Sequence, residues 1–172
     1  KDLGINLEFK EQAEPKGIPE AFLIGEKFIN HDNVALILGD NFFYGQSLTS
    51  KLEKSLLHKN GARIFLKKVN KPENYGIAKI SKKNIEKILE KPKKFISDQA
   101  ITGLYFFDNK VYKYAKTLKP SKRGELEITD LLKIYKKNKN LKFEFIGRGA
   151  IWSDAGKIDD MTKVSNFVES IE

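Results

Sequence analysis

The sequence predicts an α/β domain, a mostly parallel sheet flanked by helices with an antiparallel insertion. Three observations predict it. Val34 to Leu38 is an unbroken apolar run that ends in Gly39-Asp40, the pattern of a strand buried on both faces. Just before it, Ala21, Ile24 and Phe28 recur at helical spacing behind Pro19, which a first helical turn tolerates. Further on, Ile77–Ile80 and Ile85–Leu89 flank the turn Ser81-Lys82-Lys83-Asn84 and read as a hairpin.

The other elements follow in order. Ile5 to Phe9 alternates and reads as a strand, so strand, helix and buried strand suggest a parallel βαβ unit. Gln12 to Gly17 is a loop. Leu48 to Leu57 is a helix with Asn60-Gly61 as its stop, and Ala62 to Val69 a strand. Residues 72–76, Pro-Glu-Asn-Tyr-Gly, form a turn. Ala100–Phe107 and Leu141–Ile146 are strands; residues 109–118, 127–137 and 156–171 are helices. No repeat or linker divides the chain.

Composition narrows the function classes. The 172 residues contain 12 Phe and 6 Tyr, enough apolar surface for a core, and no Cys, which excludes disulfides and thiolate metal sites. Two histidines are too few for a His cluster. No apolar run approaches the ~20 residues of a membrane span and no signal-peptide pattern is present, so a cytoplasmic setting is expected. The net charge of +9 lies wholly in residues 61–172, with 25 basic and 14 acidic side chains. Such asymmetry can mark a nucleic-acid surface, but only three of the basic residues are Arg, the preferred fork for bases and phosphates. The lysines fall in scattered pairs, as on a solvated face; no nucleic acid and no membrane are expected as partners.

Three residues are candidates for chemistry. Asp40 ends the most apolar strand, where ligands of open α/β sheets bind, and suits Mg²⁺, which takes one or two carboxylates together with substrate phosphates. Gly-Asp-Asn is equally ordinary turn chemistry. Asp154 stands between a strand-like stretch and a helix, either as an N-cap or as a second carboxylate for the site of Asp40. Lys91 precedes Pro92, which is expected to hold it extended as a point charge for a phosphate; the alternative is one more surface lysine.

Seven stretches then carry a resemblance: residues 15–21 (PKGIPEA), 38–45 (LGDNFFYG), 74–76 (NYG), 89–92 (LEKP), 101–108 (ITGLYFFD), 123–130 (RGELEITD) and 147–156 (GRGAIWSDAG). In this order, over nearly the whole chain, they resemble the sugar-1-phosphate nucleotidylyltransferase family in its glucose-1-phosphate thymidylyltransferase branch. The resemblance implies a Rossmann-like nucleotidyltransferase fold. It implies Mg²⁺-dependent transfer of a thymidylyl group from dTTP to α-D-glucose 1-phosphate, the step that feeds dTDP-rhamnose and other deoxysugars of surface polysaccharides. It implies that Gln12 and Gly17 contact the thymine and that Asp40 and Asp154 bind the metal. Glu90 is implied to hold sugar hydroxyls, Lys91 the sugar phosphate, and Tyr75, Gly76, Ile101 and Thr102 to line the sugar pocket. A homo-oligomer, often a tetramer, is the family habit.

The family opens with a Gly-rich phosphate loop that bears an Arg and a Lys, and continues with further helices. Neither is recognisable here, and the chain starts at Lys1, so residues 1–172 read as a partial nucleotidyltransferase domain. Such a piece is expected to be inactive alone and poorly soluble, with Val34–Leu38 left bare. Ala155 stands where the family usually has Thr, and Lys79 where relatives often have an acidic residue.

Overall fold

The computed structural model describes residues 4–172. Two short helices, α1 (Glu20–Ile24) and α2 (Glu26–Ile29), lead into strand β1 (Val34–Ile37), β2 (Asn41–Gly45), helix α3 (Leu48–Leu56) and β3 (Ala62–Lys68). A 3-10 turn at Pro72–Asn74 precedes the hairpin β4 (Gly76–Ser81) and β5 (Asn84–Glu90). Then come β6 (Gln99–Phe107), α4 (Val111–Ala115), α5 (Ile128–Lys137), β7 (Leu141–Phe145), β8 (Ala150–Asp154) and α6 (Ile158–Glu169). Among the described residues no helix is long and apolar enough to cross a membrane.

The main sheet runs β5-β4-β6-β3-β7, with β1 also on β6. Strands β1, β3 and β7 point the same way, as expected. However, β6 lies antiparallel between β1 and β3, so β3–β7 is the parallel pairing of this sheet. β2 and β8, which the sequence reading did not find, pair antiparallel as a separate ribbon with Asn41 opposite Asp154.

Strand β6 organises the molecule. One of its edges carries β3 along its length, whereas the other is shared. β4 takes its first half, with Ile77 opposite Ala100, and β1 takes its second, from Leu104 to Phe107. The carboxyl end of β1 therefore meets the start of β4 in front of residues 101–103. Leu38 N–H donates to Gly103 O at 2.9 Å and closes the β1 side of this junction.

Three expectations are corrected. Ile5 to Phe9 forms no strand; Ile5, Leu7 and Phe9 are 60%, 66% and 89% exposed. Alternation alone makes no strand where no ladder partner satisfies the backbone, and without it there is no βαβ unit at this point. β1, expected bare in this piece, packs Val34 and Leu36 on the core and leaves Ala35 and Ile37 exposed, so its apolar run is covered on one face. Its second edge has no strand partner among the described residues. The helix after Pro19 is broken at Gly25, and α3 ends at Leu56, short of Gly61. That glycine (φ +89°) instead starts β3, where a Cβ would come within 2.2 Å of Asn140 O.

One core lies under α1, α4 and α5, where Phe22, Phe107, Tyr135 and Tyr114 meet through ring contacts of 5.0–5.6 Å. A smaller one, Phe65, Leu104, Ile146 and Ala150, supports the β2–β8 ribbon from the opposite sheet face. Asp108 is buried between elements. It accepts from Gly61 N at 2.7 Å and the Tyr135 hydroxyl at 2.8 Å, tying β6, β3 and α5 together.

Candidate functional site

A cavity of about 190 Å³ opens at the β1/β4 junction. Its floor is Ile101 and Gly103 of β6; Leu38, Tyr75, Gly76, Glu90, Thr129 and Trp152 form its walls. A larger open cleft of about 890 Å³ adjoins it and contains Asp40, Lys67, Lys71, Asp154, Gly156, Lys157 and Lys163. Asn74, Tyr75, Lys91, Trp152 and Asp154 line both, so they mark the boundary between them.

The two predicted carboxylates meet at that boundary. A Cβ placed on Gly156 would lie 3.1 Å from Asp154 Oδ1 and 3.2 Å from Asp40 Oδ2, so both carboxylates face one point in space. The ribbon explains this. Asp40 enters β2 and Asp154 ends β8, and Ala155 N–H donates to Asp40 O at 2.7 Å. Asp154 Oδ1 accepts from Gly156 N at 3.1 Å and Asp40 Oδ1 from Asn41 Nδ2 at 2.7 Å. Neither forms an ion pair among the described residues. Two exposed or half-buried carboxylates converging without a cationic partner are a donor set that fits a hard divalent cation.

Asn41 is the residue the sequence reading missed. Its Oδ1 accepts from Gly103 N at 2.9 Å and Trp152 Nε1 at 2.6 Å, while its Nδ2 reaches Asp40. The amide lies directly over Gly103, where a Cβ would come within 2.5–2.7 Å of it, so that position excludes any side chain. Asn41 thereby links β6, β8 and Asp40. It stood in the sequence beside Asp40, but nothing in the spacing announced its partners.

Glu90 ends β5 half-buried against Gly76, whose missing Cβ leaves it room: one there would meet Thr129 Cγ2 at 2.9 Å and Glu90 Oε2 at 3.3 Å. Burial, and then the neighbouring Glu127 carboxylate, push the Glu90 carboxyl above the usual range. Arg123, also missed as a site residue, is the counter-charge. It contacts Glu90 at 3.7 Å, Glu125 at 2.8 Å and Glu127 at 3.8 Å. Tyr75 sits edge-to-face on Trp152 at 5.4 Å, and burial followed by Asp154 raises its phenol.

Lys91 is at the boundary, as expected of a phosphate ligand, but it is not extended. Its φ is +38°, a left-handed value rare for a non-glycine and unfavourable before Pro92. The β4–β5 ladder imposes it: Gly76 pairs with Glu90, Lys91 N–H still donates to Tyr75 O at 3.0 Å, and the chain must then leave the sheet.

The structure thus brings together Asp40, Tyr75, Gly76, Glu90, Lys91, Ile101 and Asp154. Thr102 it does not: with Ile101 and Gly103 facing the cavity, strand alternation sends the wholly buried Thr102 to the other sheet face. Gln12 and Gly17 lie outside both cavities. Gln12 Nε2 donates to Gly17 O at 3.2 Å and Glu20 Oε2 at 2.6 Å. Gly17 (φ +102°) is pressed on Leu126, whose O would be 2.1 Å from a Cβ. Its neighbour Ile18 reaches the cavity wall.

This geometry has relatives. The chain is 42% identical over 172 residues to the glucose-1-phosphate thymidylyltransferase of Neisseria meningitidis, covering 99% of this chain and 60% of that protein. The protein of the same name from Mycobacterium tuberculosis is 39% identical, with 99% and 59% covered. The chain therefore spans about 60% of the length of these curated relatives. Among solved structures, one from Bacillus anthracis, described as a glucose-1-phosphate thymidylyltransferase in complex with sucrose, superposes with a TM-score of 0.85. It is 36% identical, with 95% of this chain and 65% of that one covered. A UDP-glucose pyrophosphorylase complexed with UDP-glucose shares the fold at a TM-score of 0.78 and 22% identity, over 94% of this chain and 65% of that one. Residues 1–171, which contain the shared edge of β6 and both aspartates, match the family model for nucleotidyl transferases, and the chain belongs to that family.

Proposed function

We propose that this chain carries the site that transfers a thymidylyl group from dTTP to α-D-glucose 1-phosphate, giving dTDP-glucose and pyrophosphate. The observation that carries the reading is the convergence of Asp40 and Asp154 beside Lys91, at the mouth of a cavity of sugar size. The names of the relatives support the same reaction.

A phosphate oxygen of the sugar phosphate attacks the α-phosphorus of the nucleotide. The bond from that phosphorus to the bridging oxygen of the β-phosphate breaks, and pyrophosphate leaves with the electron pair. Two polyanions must meet in line, so positioning and charge neutralisation are the tasks of the site and no protein nucleophile is required. In this reading Glu90, Tyr75, Gly76 and Ile101 bind the hexose, and Thr102 supports them from the opposite sheet face. Lys91 places its ammonium on the sugar phosphate as a point charge. Asp40 and Asp154 hold Mg²⁺, which when bound offsets phosphate charge. Gln12 and Gly17 face the base; the Gln12 amide oxygen accepts no hydrogen bond among the described residues and is available to a pyrimidine N–H. A homo-oligomeric, cytoplasmic enzyme serving deoxysugar formation completes the proposal.

The test is a nucleotide panel. The full-length protein is given dTTP, UTP, CTP or GTP with glucose 1-phosphate and Mg²⁺, and pyrophosphate release is followed. Fastest turnover with dTTP, abolished by Asp154→Asn, is expected. Equal or better turnover with UTP sinks the thymidylyl assignment.

A further inference from the structure

The connection between β7 and β8 is pinned by two lysines from elsewhere in the chain. Lys51 of α3 donates to the carbonyl of Phe145, and Lys67 of β3 donates to Ala150 O at 2.7 Å and Gly147 O at 3.3 Å. Lys67 forms no ion pair with a carboxylate among the described residues. It is partly buried, and it lines the same cleft as Asp40 and Asp154. An ammonium group withdrawn from water onto main-chain carbonyls has a task that a solvated surface lysine lacks.

The carbonyls it holds belong to the turn that launches β8, closed by Ala150 N–H to Gly147 O at 3.3 Å. From there Ala150, Trp152 and Asp154 alternate on one side of the strand, with Ile151 and Ser153 on the other. A slip of one residue would present Ser153 where Asp154 stands and remove Trp152 from Asn41. Gly45, opposite Ala150, leaves no slack: a Cβ there would lie 2.3 Å from Gly149 O.

We infer that Lys67 is a positioning residue for Asp154: by anchoring Gly147 O and Ala150 O it fixes the register of β8 that turns Asp154 toward Asp40. The inference rests on the proposed reading of Asp40 and Asp154 as a divalent-cation site.

Direct Mn²⁺ binding to the full-length protein without nucleotide, followed by electron paramagnetic resonance, tests it. Lys67→Met keeps the aliphatic stem and removes the donors; its Mn²⁺ affinity is expected to fall about tenfold, the low end for residues that orient metal ligands. Lys67→Arg restores donors and is expected to recover most of the loss. Asp154→Asn, run in parallel, is expected to lose binding. Unchanged affinity in folded Lys67→Met beside a loss in Asp154→Asn overturns this inference alone. Unchanged affinity in both overturns the cation-site reading and the inference with it. A raised KM for nucleotide with unchanged Mn²⁺ affinity makes Lys67 a substrate contact and overturns the positioning role. Should Lys67→Met not fold, Lys67→Gln carries the same comparison, with an intermediate loss expected and no loss overturning the inference.

Discussion

The indole N–H of Trp152 donates to the side-chain oxygen of Asn41 at 2.6 Å, and this contact locks β8 onto β2 within the ribbon that the same oxygen fastens to the main sheet. The same oxygen takes the N–H of Gly103 from the floor of the cavity.

Asn41→Leu fills similar space and removes the acceptor. It leaves the buried Gly103 N–H unpaired, at about 1–3 kcal/mol, and the part-buried Trp152 indole N–H unpaired at a smaller cost. Urea unfolding is expected to show a loss in that range or above it. Because Trp152 is the single tryptophan of the chain, native-state fluorescence should shift as its partner disappears.

Gly156→Ala tests the meeting point of the aspartates. Gly156 does not adopt the left-handed conformation that only glycine favours, so the fold is expected to survive. The added methyl stands 3.1–3.2 Å from both carboxylates, where a cation would be held. A fall in Mn²⁺ or Mg²⁺ affinity of about tenfold is expected, with little change in melting temperature. Calorimetric titration of the metal is the check.

The pH dependence of stability should carry the mark of Glu90. Folding raises its pKa, through burial first and the Glu127 carboxylate second, so the folded state prefers the protonated form. The stability this gives is full below the ordinary glutamate range and is lost as pH rises through the raised value. Glu90→Gln, a mimic of the neutral acid, is expected to exceed wild type in stability at mildly alkaline pH and to match it in acid. Denaturant unfolding at the two ends measures the difference. A stabilised but sugar-blind enzyme would mean that the strain at Glu90 serves binding.

Tyr135→Phe removes the hydroxyl that donates to buried Asp108 at 2.8 Å. Asp108 keeps Gly61 N at 2.7 Å and Lys110 N at 3.1 Å. A hydrogen bond to a charged acceptor is worth about 1.5–3 kcal/mol. For a chain of this size each kcal/mol moves the melting temperature by roughly 2–4 °C. A thermal melt within 1 °C of wild type would contradict this expectation.

Much of the fold was legible because its signals are local. The apolar run of β6, the hairpin turn at Ser81–Asn84 and the amphipathic spacing of α5 each declare themselves within a few residues. The β2–β8 ribbon does not. Its strands are five residues each, they pair only with one another, and they lie far apart in the chain. Ile5 to Phe9 shows the reverse error: a convincing pattern with no partner to pair with. Of the site, Asp40, Glu90, Lys91 and Asp154 were visible as individual motif residues. Asn41, Arg123 and Lys67 were not, since an amide, a guanidinium and an ammonium acquire meaning only from the groups that register sets opposite them. Lys91 stands at the boundary of the two cavities but with another backbone than the sequence suggested, because a ladder bond overruled the local preference before proline.

The divided edge of β6 has a consequence for how this cavity can change. Where one neighbour stops and another begins, part of the pocket's bottom is bare peptide, at Gly103, capped by a side chain from another strand. Trimming cannot deepen the pocket at Gly103, since there is nothing there to trim. Any drift toward a bulkier or smaller guest has to come from Ile101 beside it or from the walls at Tyr75 and Trp152, while the base at Gly103 stays as constant as the strand itself.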